Sequence, residues 1–218
     1  MKGLLIKDLK LMKNQGWFFI MIVLISIGCA ASMKNPFFAM GYATSLISVF
    51  SVSTIGYDEY DNGMLYLFTL PISRKLYVKE KYVYAILVTV VALVAAIGIS
   101  AGVAFAMHLN YPIEEWLGII SSSVFIVSLI ISIILPVRMK FDTEKNKMAI
   151  LIAIGVVALV AVGIIKIAEI LNVDLEAFLE NVMFGNPVKM LMLVIGLGII
   201  LVVVSYLISI KIMEKREF

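Results

Sequence analysis

Six stretches of this chain contain no Asp, Glu, Lys or Arg: residues 14–33, 35–57, 82–113, 116–137, 148–165 and 190–210. No other feature restricts the fold so strongly, because a charged side chain at the centre of a bilayer is costly. At 1.5 Å per residue, about 20 residues of helix cross the hydrocarbon core. Each run reaches or nearly reaches that length, and the third exceeds it. Helix is the expected conformation, since in lipid every backbone amide has to be paired within its own segment. No run alternates with the period of two that marks a membrane barrel strand. Composition agrees. Hydrophobic residues make up 62% of the chain and charged residues 15%, with a mean hydropathy of +1.07. Ordinary soluble domains hold roughly 45–50% apolar residues, so this chain has too little charge to cover a water-facing exterior.

The expected fold is therefore an all-α integral membrane protein in a single domain over residues 1–218. Its six transmembrane helices are expected at about 17–33, 36–57, 82–107, 117–137, 148–165 and 190–210. Lysines and arginines set the orientation. Fifteen of the eighteen fall at the N-terminus, in the second and fourth connections and in the C-terminal tail. Lys34, Lys166 and Lys189 alone lie on the other side. Under the positive-inside rule, both termini face the cytoplasm. The expected location is the plasma membrane, of a bacterial cell.

Residues 1–15 mix lysines with Leu4, Leu5, Leu9 and Met12, which predicts an amphipathic helix on the inner membrane surface. A cleaved signal ahead of Cys29 is the competing reading. A lipoprotein signal, however, wants an aliphatic residue three positions before the cysteine, and Ser26 stands there. Lys34-Asn35-Pro36 predicts a tight outer hairpin between the first two spans. The long outer segment 166–189 carries apolar residues at helical spacing among acids. It is expected to lie on or dip into the outer interface, with Asp174 as a helix cap and Gly185 and Pro187 as its end.

Chemistry has little to build on. No Gly-rich phosphate loop, nucleophile elbow or His/Glu metal cluster occurs. The single Cys29 excludes an internal disulfide framework. The chain is thus expected to be no enzyme, and to bind no cofactor, metal or nucleic acid of its own. The lone His108 reads as an interfacial residue. The spans hold almost no ionisable group, which argues against proton- or ion-coupled transport. Their polar residues are hydroxyls: Thr44, Ser48 and Ser51 on one face of the second span, and Ser121, Ser128 and Ser132 on one face of the fourth. Such faces either line a pathway or serve as packing contacts between helices. Gly98 and Gly102 form a GxxxG match, which marks close packing or a dimer face.

The connection at 58–81 is the most informative segment. Acids open it, and Met64, Leu65, Leu67, Phe68 and Leu70 make a short apolar helix. Pro71 ends that helix by disfavouring helical geometry at Leu70. Ser73 is placed to cap a second, basic helix leading into the third span. On the residues alone, a linker dipping into headgroups remains open.

The residues Glu59, Gly63, Leu65, Leu67, Leu70, Pro71, Ser73 and Arg74, with Lys81 and Tyr82 downstream, resemble the loop pattern of ABC-2 type permeases. The six spans, inner termini, basic N-terminal helix and partly re-entrant outer segment between spans five and six resemble that family too. The resemblance implies a coupling helix formed by Glu59, Gly63, Met64, Leu65, Leu67, Phe68, Leu70, Pro71, Ser73 and Arg74. That helix would dock a separate ABC ATPase subunit, two copies of which hold ATP and magnesium. It further implies a second six-span permease chain, identical or related, enclosing one export pathway with this one. Spans one, two and five would flank that pathway, with Thr44, Ser48 and Ser51 as lining candidates. Many members carry an acid where Tyr66 stands, so the contacting side chains are not carried over with the loop. Amphipathic or antimicrobial peptides are the favoured substrate class, ahead of lipids and hydrophobic drugs. A membrane immunity or sensor protein, or a pore, is the reading from another class.

Overall fold

The computed structural model describes residues 1–60, 63–141, 151, 155, 166 and 187–216. These residues form eight helices and no strand: α1 (Lys2–Asn14), α2 (Gly16–Ser32), α3 (Phe37–Val52), α4 (Thr54–Glu59), α5 (Gly63–Thr69), α6 (Arg74–Ala106), α7 (Ile113–Lys140) and α8 (Pro187–Lys215). Four stretches are long and apolar enough to cross a membrane: α6, α7, α8 and the nearly continuous Phe37–Glu59. The pair α1 and α2, bent by 61°, counts as a fifth only when taken together as one broken span. The expected span at 148–165 and the outer segment with Asp174 lie outside the described residues, apart from isolated positions.

Local sequence explains the element ends. Asn35 turns the chain between α2 and α3, its Oδ1 accepting the amide of Phe37 at 3.0 Å, and Lys34 sits at φ 51°. His108 adopts φ 53° just past α6, where the Leu109 amide reaches back to the Ala104 carbonyl at 2.9 Å. This left-handed turn closes the helix, so His108 is a helix-ending residue at the surface. Ser73 caps α6 as expected, its Oγ accepting the Leu76 amide at 3.2 Å, and α5 stops at Thr69, two residues before Pro71.

Packing between α7 and α8 is close and parallel. Ser128 faces Gly198, Ser132 faces Ser205, and Met139 faces Arg216. A Cβ on Gly198 would sit 2.6 Å from Ser128 Oγ and 3.3 Å from its Cβ, so any larger residue there requires Ser128 to give way. One helix-breaking residue is put to use nearby. Pro136 lies inside α7 and has no N–H for the carbonyl of Ser132, four residues earlier. That carbonyl instead accepts Ser205 Oγ of α8 at 2.7 Å. Tyr82 Oη lies 2.6 Å from Ser205 Oγ and 2.8 Å from Ser209 Oγ, so α6, α7 and α8 share one buried polar contact. By contrast, a Cβ on Gly98 or Gly102 would meet nothing within 4 Å. Their spacing makes no close contact among the described residues.

α1, the 58–81 connection and the ends of α7 and α8 meet at one end of the bundle. Arg216 joins Glu59 at 2.9 Å and the Met139 carbonyl at 3.0 Å. Arg74 donates to the carbonyls of Met213 and Glu214 at 3.2 and 2.7 Å, satisfying acceptors that the end of α8 leaves open. Lys75 meets Glu214 at 3.1 Å. This basic end is where the sequence places the cytoplasm. Pro187 lies with Phe37 and Pro112 at the other end.

A candidate coupling surface at the basic end

α5 has two unlike faces. Met64 is buried, and Leu67 and Phe68 pack against the main hydrophobic cluster. Leu65, Tyr66 and Leu70 are 47%, 71% and 45% exposed. With Tyr57 and Tyr60, which are also exposed, they set large apolar side chains outward at the basic end. Gly63 fits because it is glycine: a Cβ there would stand 2.9 Å from the Asp58 carbonyl oxygen. Phe68 meets the Tyr77 ring edge-on at 5.8 Å, which seats the inner face of α5 on α6.

Of the residues singled out in the sequence, the structure therefore brings Leu65, Leu70 and Pro71 to the surface and turns Met64, Leu67 and Phe68 inward. Glu59 and Arg74 are engaged with the C-terminal end of the chain. Thr44, Ser48 and Ser51 are buried, with exposures of 2% or less. Their hydroxyls bond to the carbonyls of Met40, Thr44 and Ser48 within α3, and Ser48 also meets Thr89 of α6 at 3.2 Å. Of the three, Ser48 is the one with a bond across to another helix, in the α3–α6 contact. A mostly apolar groove of about 450 Å³ lies instead between α6, α7 and α8, lined by residues such as Leu93, Val127, Ile131 and Val203.

Behind α5 lies a cluster of buried charges. Lys81 of α6, 1% exposed, meets Asp8 of α1 at 2.5 Å and Asp58 of α4 at 2.7 Å. It also donates to Thr54 at 3.2 Å and lies over the Tyr77 ring. Tyr77 donates to Asp58 at 3.0 Å. Lys7 of α1 pairs with Asp58, and its ammonium stands 3.3 Å from Asp8. Burial pulls the Lys7 ammonium down, but the Asp58 and Asp8 carboxylates outweigh it and hold Lys7 above its ordinary value. A contact path thus runs from Phe68 on α5 through Tyr77 and Asp58 to Lys81, and from there to Asp8 on α1. Asp8 and Asp58 carried no weight in the sequence. The available signal was the spacing of Leu4 and Asp8, which puts a lone acid on the apolar face of a basic helix.

The whole-chain comparison decides the class. Residues 3–214 match the family model described as ABC-2 family transporter protein. The chain belongs to the ABC-2 transporter family. No curated protein and no solved structure matches it. ABC-2 proteins are the membrane subunits of ABC transporters: they are not themselves catalytic, and they typically work with an ATPase subunit. The loop at 58–81, read as that family's coupling segment, is the one that carries the exposed face of α5.

Proposed function

We propose that this chain is the permease subunit of an ATP-driven exporter, and that it docks a separate ATPase through the exposed face of α5. The observation that carries the reading is the outward set of Leu65, Tyr66 and Leu70. Leu65 and Tyr66 stand on a short helix whose other face is seated on α6, and Leu70 directly follows it. An apolar protrusion on the side facing the cytoplasm fits an apolar cleft in a soluble partner, since exposed patches of large apolar residues mark interaction sites. ATP binding would close two ATPase copies and push α5. The push would pass through Tyr77 and Asp58 into α1 and α6. Two permease chains, each with six spans, would enclose the pathway between them.

The substrate class favoured is amphipathic peptides. The support is chemical: the spans offer apolar surface and hydroxyls but almost no fixed charge. Burial of Thr44, Ser48 and Ser51, with Ser48 bonded across to Thr89 of α6, favours packing as their role over lining the pathway.

Co-purification with the cognate ATPase tests the docking. Leu65→Glu with Tyr66→Glu is expected to abolish recruitment while the permease keeps its thermal stability. Undiminished recruitment by that variant refutes α5 as the docking element. Leu67 and Phe68 are the wrong probes, because charging them disrupts the core beneath.

A further inference from the structure

Glu80 follows the basic overhang of α6. That helix has 33 residues and is about 50 Å long, longer than the roughly 30 Å of hydrocarbon. The charged residues 74–81 precede its apolar run and stand at the cytoplasmic side. The Glu80 side chain is nevertheless fully buried, at 0% exposure. Among the described residues, neither of its carboxyl oxygens has a hydrogen-bond partner. Buried polar groups are almost always partnered, and a buried, unpaired negative charge is among the most expensive arrangements a fold can hold.

The surroundings sharpen the problem. The charges that Glu80 feels are Lys81 on its own helix, Asp8 and Lys7 on α1, and Asp58 on α4. Tyr77 and Tyr84 of α6 also lie within its field. α2 and α3 bring no charged residue to α6. Glu214 of α8 is engaged by Lys75, and the Arg138 guanidinium of α7 lies within the field of Glu59. The two ammonium groups of the cluster are already committed to Asp8 and Asp58. With Glu80 ionised, three carboxylates face two ammoniums, and the buried cluster is one positive charge short.

We infer that Glu80 is a proton-binding site, and that a proton on its carboxyl supplies the missing charge in the joint between α1, α4 and α6. A metal cation is disfavoured there, because Lys7 and Lys81 repel it and neither Asp8 nor Asp58 has a carboxylate free of an ammonium. Burial lifts the Glu80 carboxyl from 4.5 to about 7, with Asp8 and Asp58 adding to the rise against the opposing pull of Lys81 and Lys7. The folded chain then holds a proton between those two values that the unfolded chain has released. Stability therefore falls as pH rises through that window, and the loss is complete above it. This site shares α6 with Tyr77, on which the inner face of α5 is seated. Its existence does not depend on that docking.

The test is thermal unfolding of the full chain in lipid nanodiscs as a function of pH, wild type against Glu80→Gln, which keeps the shape and removes the charge. Glu80→Gln is expected to melt several degrees higher at about pH 8, with the gap closing towards about pH 5. Infrared spectra of the wild type at about pH 6 are expected to show a protonated-carboxyl band that Glu80→Gln lacks. A gap of constant size across pH, or no such band, overturns the proposal. So does a wild-type melting point that follows the identity of the monovalent salt cation at fixed pH, since a bound cation then takes the place of the proton.

Discussion

Lys81 is the residue on which the basic end turns. Its ammonium is the shared partner of two buried carboxylates from different helices. Replacing it by methionine leaves Asp8 and Asp58 underpaired away from water, at a cost of about 3–5 kcal/mol. The double variant Lys81→Met with Asp8→Asn is expected to recover part of that loss, which chemical or thermal denaturation of the two proteins checks. Ser205 works by a different logic. Its hydroxyl serves a carbonyl that Pro136 has left without an amide, so Ser205→Ala leaves that oxygen unsatisfied at a cost of about 1–3 kcal/mol. If the melting point of Ser205→Ala is unchanged, the contact is not the acceptor's main partner. Lys34 holds a left-handed conformation that glycine adopts without steric cost. Lys34→Gly is therefore expected to be neutral or slightly stabilising, despite removing a side chain.

At the scale of elements, α5 and the α7–α8 pair carry opposite lessons. α5 is only seven residues long, too short to be stable in isolation, and it holds its shape because one face is seated on the core. Its two faces are expected to separate cleanly in experiment. Leu67→Glu lowers the melting point, whereas Leu65→Glu lowers only ATPase recruitment. α7 and α8 depend on close approach at Gly198. Gly198→Leu forces them apart and is expected to cost about 1–3 kcal/mol as overpacking. Gly102→Leu, with nothing within 4 Å of its Cβ position, costs far less in the same melting assay. Equal losses for the two would mean that the glycine spacing on α6 is packed as tightly as Gly198.

For the whole molecule, the ion pairs among Asp8, Glu59, Lys81 and Arg216 gather four remote chain segments at one end. This geometry predicts the outcome of labelling intact cells with a membrane-impermeant thiol reagent in a Cys29→Ser background. Lys2→Cys, Tyr66→Cys and Lys215→Cys are expected to stay unlabelled, while Lys34→Cys and Val188→Cys react. Labelling of Tyr66→Cys from outside would invert the orientation and remove the docking surface from the ATPase side.

The apolar stretches that form α2, α3, α6, α7 and α8, the separate helix ahead of them, the cap at Ser73 and the stop before Pro71 were readable along the chain. Each depends on local quantities: transfer cost summed over about 20 residues, or the geometry of one proline or one hydroxyl. The family pattern around Leu70, Pro71, Ser73 and Arg74 is likewise a linear feature. What a linear reading could not assign was the direction each side chain faces. Leu65 and Leu67 are the same residue type two positions apart, yet one is exposed and the other packed. Glu80 and Lys81 are adjacent and both buried, yet among the described residues only Lys81 has a partner. Helical position fixes the angle between such neighbours, but which angle points inward is set by where α1, α4 and α8 dock. Those contacts join residues as far apart in the chain as Tyr82 and Ser205, and only the folded bundle decides them.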